Sequence, residues 1–117
     1  MTAETRAALE RAHARLDRLE LYPSPVSLKR VRLRTVPWFF RPPRFRRFDG
    51  FTAYSLILLR DEPGQATASD DLITHELCHV WQMQHHPITM PLSYLRYGYQ
   101  NNHYEVEART AALDTRA

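Results

Sequence analysis

With 117 residues, 44% of them hydrophobic, and a formal charge of +3, the chain has the length of one domain, spanning residues 1–117, with a core of its own. Its single cysteine, Cys78, excludes an intrachain disulfide and fits a reducing compartment. No apolar run approaches the roughly 18 residues of a membrane span, and the opening M-T-A-E-T-R has no signal-peptide pattern, so a cytoplasmic protein without a membrane partner is expected.

Residues 4–20 carry Leu9, Ala12, Leu16 and Leu19 at helical spacing with charged residues between them, which predicts an amphipathic packing helix ending before the Tyr22-Pro23-Ser24-Pro25 turn. His13 falls on its apolar side and reads as a hydrogen-bonded core histidine. Residues 26–36 alternate as a strand, with Val31, Leu33 and Thr35 on one face and Arg30, Arg32 and Arg34 on the other. Between Lys29 and Arg47 stand eight basic residues and no acid. Such a run invites phosphate or an acidic partner, although a solvated strand face is the favoured reading.

The stretch from Pro37 to Phe48 holds three prolines and cannot be a central strand, so it reads as an extended arm or edge segment. Its aromatic and basic mix could stack on nucleic-acid bases. Packing of Trp38, Phe39, Phe40 and Phe45 on the core, with arginines reaching outwards, is the favoured reading. Past an Asp49-Gly50 turn, residues 51–60 read as a second strand, and residues 61–68 as a loop leading into a helix.

That helix holds the chemistry. The stretch D-L-I-T-H-E-L-C-H-V-W-Q-M-Q-H, from Asp71 to His85, contains H-E-x-x-H as His75, Glu76 and His79. At about 100° per residue the two histidines lie within roughly 40° of each other, so both imidazoles can reach one cation. Zn²⁺ on such a site keeps a position for water and lowers its pKa to about 7, and Glu76 stands where it can take the proton. Ser69, Asp70 and Asp71 cap the helix start, and Pro87 closes its end. Ile73, Leu77, Val80, Trp81 and Gln84 fall opposite the histidines and predict a core-facing side. Cys78 reads as a small buried thiol rather than a ligand.

Beyond Pro87, residues 88–100 read as a short helix opened by Pro91 and ended near Gly98. Asn101 or Asn102 then caps a last helix, H-Y-E-V-E-A-R-T-A-A-L-D.

H-E-L-C-H followed downstream by N-H-Y-E-V-E-A-R-T-A-A resembles the gluzincins, zincin metallopeptidases whose third zinc ligand is a glutamate on a following helix, and in particular their minimal single-domain forms, the minigluzincins. The resemblance covers residues 51–113 and leaves the N-terminal helix and the basic arm outside. It implies an α+β fold with a minimal zincin-like arrangement: N-terminal helix, small twisted sheet, H-E-x-x-H helix and C-terminal glutamate helix. It also implies Zn²⁺ on His75, His79 and Glu105, Glu76 as general base, and a peptide substrate paired with the strand near residues 53–60. Where many gluzincins carry an Asp that holds the first histidine, this chain has Arg109, so Asp70, Asp71, Asp114 or a backbone carbonyl is expected to orient His75.

Three residues compete as third ligand. His85 would complete a metzincin-like pattern, but Gln82 stands where that pattern needs a glycine to turn the backbone, and on a continuing helix His85 points away. Glu105 shares a helix face with Ala108 and Ala112, whose small side chains permit close approach, while Glu107 is turned by about 200°. Glu105 is therefore the expected ligand, with Glu107 and Arg109 as neighbours of the metal ligands. Tyr97, Tyr99, His103 and Tyr104 are candidate oxyanion donors among which spacing does not choose. The expected function is a zinc metallopeptidase. The alternative is a non-catalytic zinc-binding or basic interaction module, with nucleic acid reached through the basic arm as the less favoured partner.

Overall fold

The computed structural model describes residues 2–100 and 102–116. Helix α1 spans Ala3–Leu16, capped by Thr2, and strand β1 spans Arg32–Thr35. A 3-10 turn at Pro37–Phe40 follows, then strands β2 (Gly50–Ala53) and β3 (Leu56–Leu59). Helices α2 (Asp70–His85), α3 (Thr89–Tyr97) and α4 (His103–Asp114) complete an α+β fold. The sheet order is β1-β3-β2, with β1 parallel to β3 (Leu33 opposite Ile57) and β2 antiparallel to it (Thr52 opposite Ile57). β2 is thus an edge strand.

One apolar core joins the elements: Leu9, Ala12 and Leu16 of α1, Leu33 of β1, Ile57 and Leu59 of β3, Ile73, Leu77 and Trp81 of α2, and Ala108 and Ala111 of α4. The expected core side of α2 is accordingly buried, apart from Gln84, which stays exposed and exchanges hydrogen bonds with the Ser27 backbone. Cys78 lies fully inside this core, and burial pushes its thiol pKa up, in keeping with an inert packing role. His13 bonds the Val26 carbonyl at 2.9 Å and pairs with Asp17 at 3.2 Å, as a satisfied histidine should.

Three expectations are corrected. The strand expected over residues 26–36 is limited to Arg32–Thr35, because the Ser27 backbone is taken by Gln84 and a turn closes from Val31 N–H to the Leu28 carbonyl. The strand expected over residues 51–60 is a hairpin: Tyr54 adopts φ 55° without being glycine, and the chain reverses there. The arm is neither extended nor an edge strand. It folds through the 3-10 turn and a run of tight turns over residues 43–47, with Phe39 stacked on Phe45, both packed against Phe51, and Phe40 buried. Trp38, expected on the core, is 64% exposed. The Arg60 guanidinium holds the arm by donating to the Arg46 and Phe48 carbonyls and pairing with Asp49.

Candidate metal centre

α2 begins where the Ser69 hydroxyl accepts the Leu72 N–H, and its axis carries His75 and His79 with ring centroids 4.8 Å apart. α4 begins at Asn102, whose side chain accepts the Tyr104 N–H and donates to Ser93 Oγ on α3. Asn101, the other expected cap, lies outside the described residues. Ala108, Ala111 and Ala112 are buried on α4, and small side chains of this kind let its axis approach a neighbour closely. Glu105 is delivered, fully buried, to the two histidines: Oε1 lies 2.6 Å from His75 Nε2 and Oε2 3.0 Å from His79 Nε2, with the two Nε2 atoms 3.2 Å apart.

These three residues offer ligand atoms within 4.8 Å of one another, and they could hold a metal ion. Two imidazoles and a carboxylate are a common donor set of catalytic zinc. Ligands about 2.0–2.1 Å from a tetrahedral ion stand roughly 3.3 Å apart, so the cluster needs to open by less than an ångström to receive one.

Hydrogen bonds around the cluster set its protons. His79 Nδ1 lies 2.8 Å from Gln82 Oε1, and the Gln82 amide group donates to the Tyr104 carbonyl and to Glu107. Both partners of that NH₂ are acceptors, so Oε1 faces His79 and Nδ1 carries the proton, which leaves Nε2 directed at Glu105. Tyr22 also donates to Glu107. Burial lowers the His79 pKa, but the Glu105 hydrogen bond and the charges of Glu76 and Glu105 outweigh it and raise it. Burial likewise opposes the charge of Glu105, yet the His75 and His79 hydrogen bonds hold its carboxyl well below the usual carboxylate range. His75 Nδ1 has no hydrogen-bond partner among the described residues. Asp70 and Asp71, expected to orient it, instead bind Arg11 and the Arg15–Arg116 pair, which tie α2 to α1 and to the end of the chain.

Glu76 is buried, and Thr52 donates its hydroxyl to Glu76 Oε1 at 2.7 Å. Gly50, on the same face of β2, leaves the space: a Cβ there would stand 3.0 Å from Glu76 Cγ and 3.1 Å from Oε2. Glu76, His79 and Glu105 open on a cavity of about 320 Å³ walled by Phe51, Met83, Met90 and Tyr94.

Of the candidate oxyanion donors, only Tyr99 lies at the centre, donating to Glu105 Oε1 at 2.9 Å. Tyr97 is 64% exposed, His103 is exposed and packs on the Tyr104 ring, and buried Tyr104 contributes its backbone carbonyl to Gln82. Tyr94, absent from that expected set, donates to Glu105 Oε2 at 2.9 Å. Burial and the nearby Glu105 push the pKa of both Tyr94 and Tyr99 upward, so they remain protonated donors. Glu107 touches Gln82, not the ligand atoms, and Arg109 donates to the Gln100 carbonyl. His85 stacks on Tyr22 at the far end of α2. The strand near residues 53–60 is not free to pair with a substrate, because β3 lies between β1 and β2; the edge bordering the cavity is β2.

The sequence held partial signals for the residues not anticipated. Gln82 lies three residues after His79 and so shares its helix side, and Gly50 and Thr52 share a strand face by alternation. Tyr94 follows buried Met90 by one helical turn.

Among the described residues no helix is long and apolar enough to cross a membrane. No protein-family model, curated protein or solved structure matches the chain, which leaves the chemistry of the site itself as the ground for function.

Proposed function

We propose that the chain is a zinc-dependent peptide hydrolase of gluzincin type, with His75, His79 and Glu105 holding the ion and Glu76 as general base. The observation that carries this reading is the convergence of a His₂Glu donor set from two helices beside the buried Glu76 carboxylate, which faces the same cavity and has no cationic partner among the described residues. A Zn²⁺ ion bound there supplies Lewis acidity and lowers the pKa of its water to about 7. Glu76, oriented by the Thr52 hydroxyl, accepts the proton from the attacking water and returns it to the leaving amine. Tyr94 and Tyr99 donate their phenol protons to Glu105 and so hold the ligand carboxylate in place beside the cavity. Peptide as the substrate class is supported by β2, an edge strand whose Phe51, Thr52 and Ala53 line the cavity and can add an extended chain.

A second reading, a zinc-holding interaction module without turnover, is favoured by the exposed Arg41, Arg44 and Arg46 of the arm. Cleavage of a peptide library, read by mass spectrometry, separates the two. Zinc-loaded protein is expected to cleave, chelation to stop it and added zinc to restore it, while Glu76→Gln keeps the metal and loses at least about 10²-fold in rate. A Glu76→Gln protein as active as the parent would remove Glu76 from the chemistry. Full zinc content without any cleavage, together with salt-sensitive binding to single-stranded DNA, would favour the module.

A further inference from the structure

The cleft has two unlike halves that meet at the metal centre. On one side lies the cavity walled by Phe51, Tyr54, Met83, Met90 and Pro91; on the other lies a second cavity, of about 420 Å³, whose wall includes Arg47, Arg109 and Arg116. Glu76, Glu105, Tyr99, Phe48 and Gly50 border both. A bond cleaved beside Glu76 therefore has an apolar wall towards one end of the chain and, towards the other, a charged wall in which Arg47, Arg109 and Arg116 stand beside Asp49 and Asp71.

The charges of this second half are unequally satisfied. Asp71 takes Arg116 and Arg15, Asp49 takes Arg60, Glu105 takes the two histidines, and Glu76 takes the Thr52 hydroxyl. Arg47 and Arg109 have no carboxylate partner among the described residues. The Arg47 guanidinium lies over the Phe48 and Tyr99 rings, at 4.9 and 5.5 Å from their centroids, which fixes its plane next to the centre. Arg109 spends one N–H on the Gln100 carbonyl and keeps the rest of its fork for another acceptor.

We propose that Arg47 and Arg109 bind a carboxylate of the substrate, so that the cleft selects peptides with an acidic side chain or terminal carboxylate on one side of the scissile bond and an apolar side chain on the other. This rests on the hydrolase reading for the word substrate, but the carboxylate site is testable without turnover. The two arginines come from separate parts of the chain, the basic arm and α4, and only the folded arm brings Arg47 to the centre.

The test is fluorescence anisotropy of dye-labelled, leucine-containing alanine hexapeptides on zinc-loaded Glu76→Gln protein. One arm compares Glu with Gln at each position in amidated peptides; the other compares a free C-terminal carboxylate with its amide. At least one of these pairs is expected to favour the charged member by roughly three- to thirtyfold in Kd, and the arm that does so identifies the source of the carboxylate. The preference is expected to vanish in the added double variant Arg47→Gln/Arg109→Gln, to persist in Arg30→Gln/Arg34→Gln, and to shrink with salt. Equal affinity in both arms, a preference that survives the Arg47/Arg109 double variant, or no binding of any peptide would overturn the proposal. Cleavage of the same peptides by the parent protein keeps the two readings apart: cleavage indifferent to charge overturns this inference alone, whereas charge-selective binding without cleavage overturns hydrolysis and leaves the carboxylate site standing.

Discussion

His75, Glu76 and His79 announce themselves by spacing, because two histidines one helical turn apart need only a helix to share a face. The residues that tune them do not, since their roles depend on how α2, α4 and β2 meet. Gln82 is the clearest case: in the sequence it marks a missing glycine, and in the fold its amide bridges His79 to Glu107 and the Tyr104 carbonyl. Gln82→Leu removes the acceptor that fixes the His79 tautomer, and a weakening of zinc affinity by about 10–100-fold is expected. Competition with a chelating dye measures this, and an affinity equal to that of the parent would deny Gln82 the role. Gly50→Ala probes the other side of the centre. Its Cβ would stand 3.0 Å from Glu76 Cγ, forcing the carboxylate to move by a few tenths of an ångström. Zinc content should hold while kcat falls by roughly tenfold, as for a misplaced catalytic group; an unchanged kcat would mean that the Glu76 position is not critical.

At the level of elements, helices were more legible than strands. α2 and α4 carry caps and periodicity, whereas the β2–β3 reversal at Tyr54 and Ser55 lacks the glycine or asparagine that usually signals a hairpin, so a continuous apolar-rich run hid two strands. The arm was legible as aromatic and proline-rich but not as folded, because the Arg60 contacts that hold it come from β3's far end. Asp71 joins three elements through Arg15 of α1 and Arg116 beyond α4. The Arg116 hydrogen bond, reinforced by Arg15 against partial burial, lowers the Asp71 pKa. A folded-state pKa below the unfolded value of about 3.9 stabilises the fold above that pH and stops doing so as pH falls through the folded value. Metal-free Asp71→Asn should therefore melt below the parent at pH 6, by an amount equivalent to about 1 kcal/mol or less for so exposed a pair, with the gap closing below about pH 4. A gap that stays constant from pH 6 to pH 3 would show that the carboxylate charge is not what links these elements.

The molecule as a whole is an α+β fold in which a small sheet and α1 support α2 from one side while α4, α3 and the connection between them bring Glu105, Tyr94 and Tyr99 against its histidines from another. Glu105, 30 residues beyond His75, is the proposed third metal ligand. Zinc per chain after equilibration at micromolar zinc, measured by mass spectrometry on the parent, Glu105→Ala, Glu107→Ala and His85→Ala, tests this most directly. About one zinc is expected in the parent and in the Glu107 and His85 variants, and nearly none in Glu105→Ala; a Glu105→Ala protein that keeps its zinc, or a His85→Ala protein that alone loses it, would contradict Glu105 as the ligand.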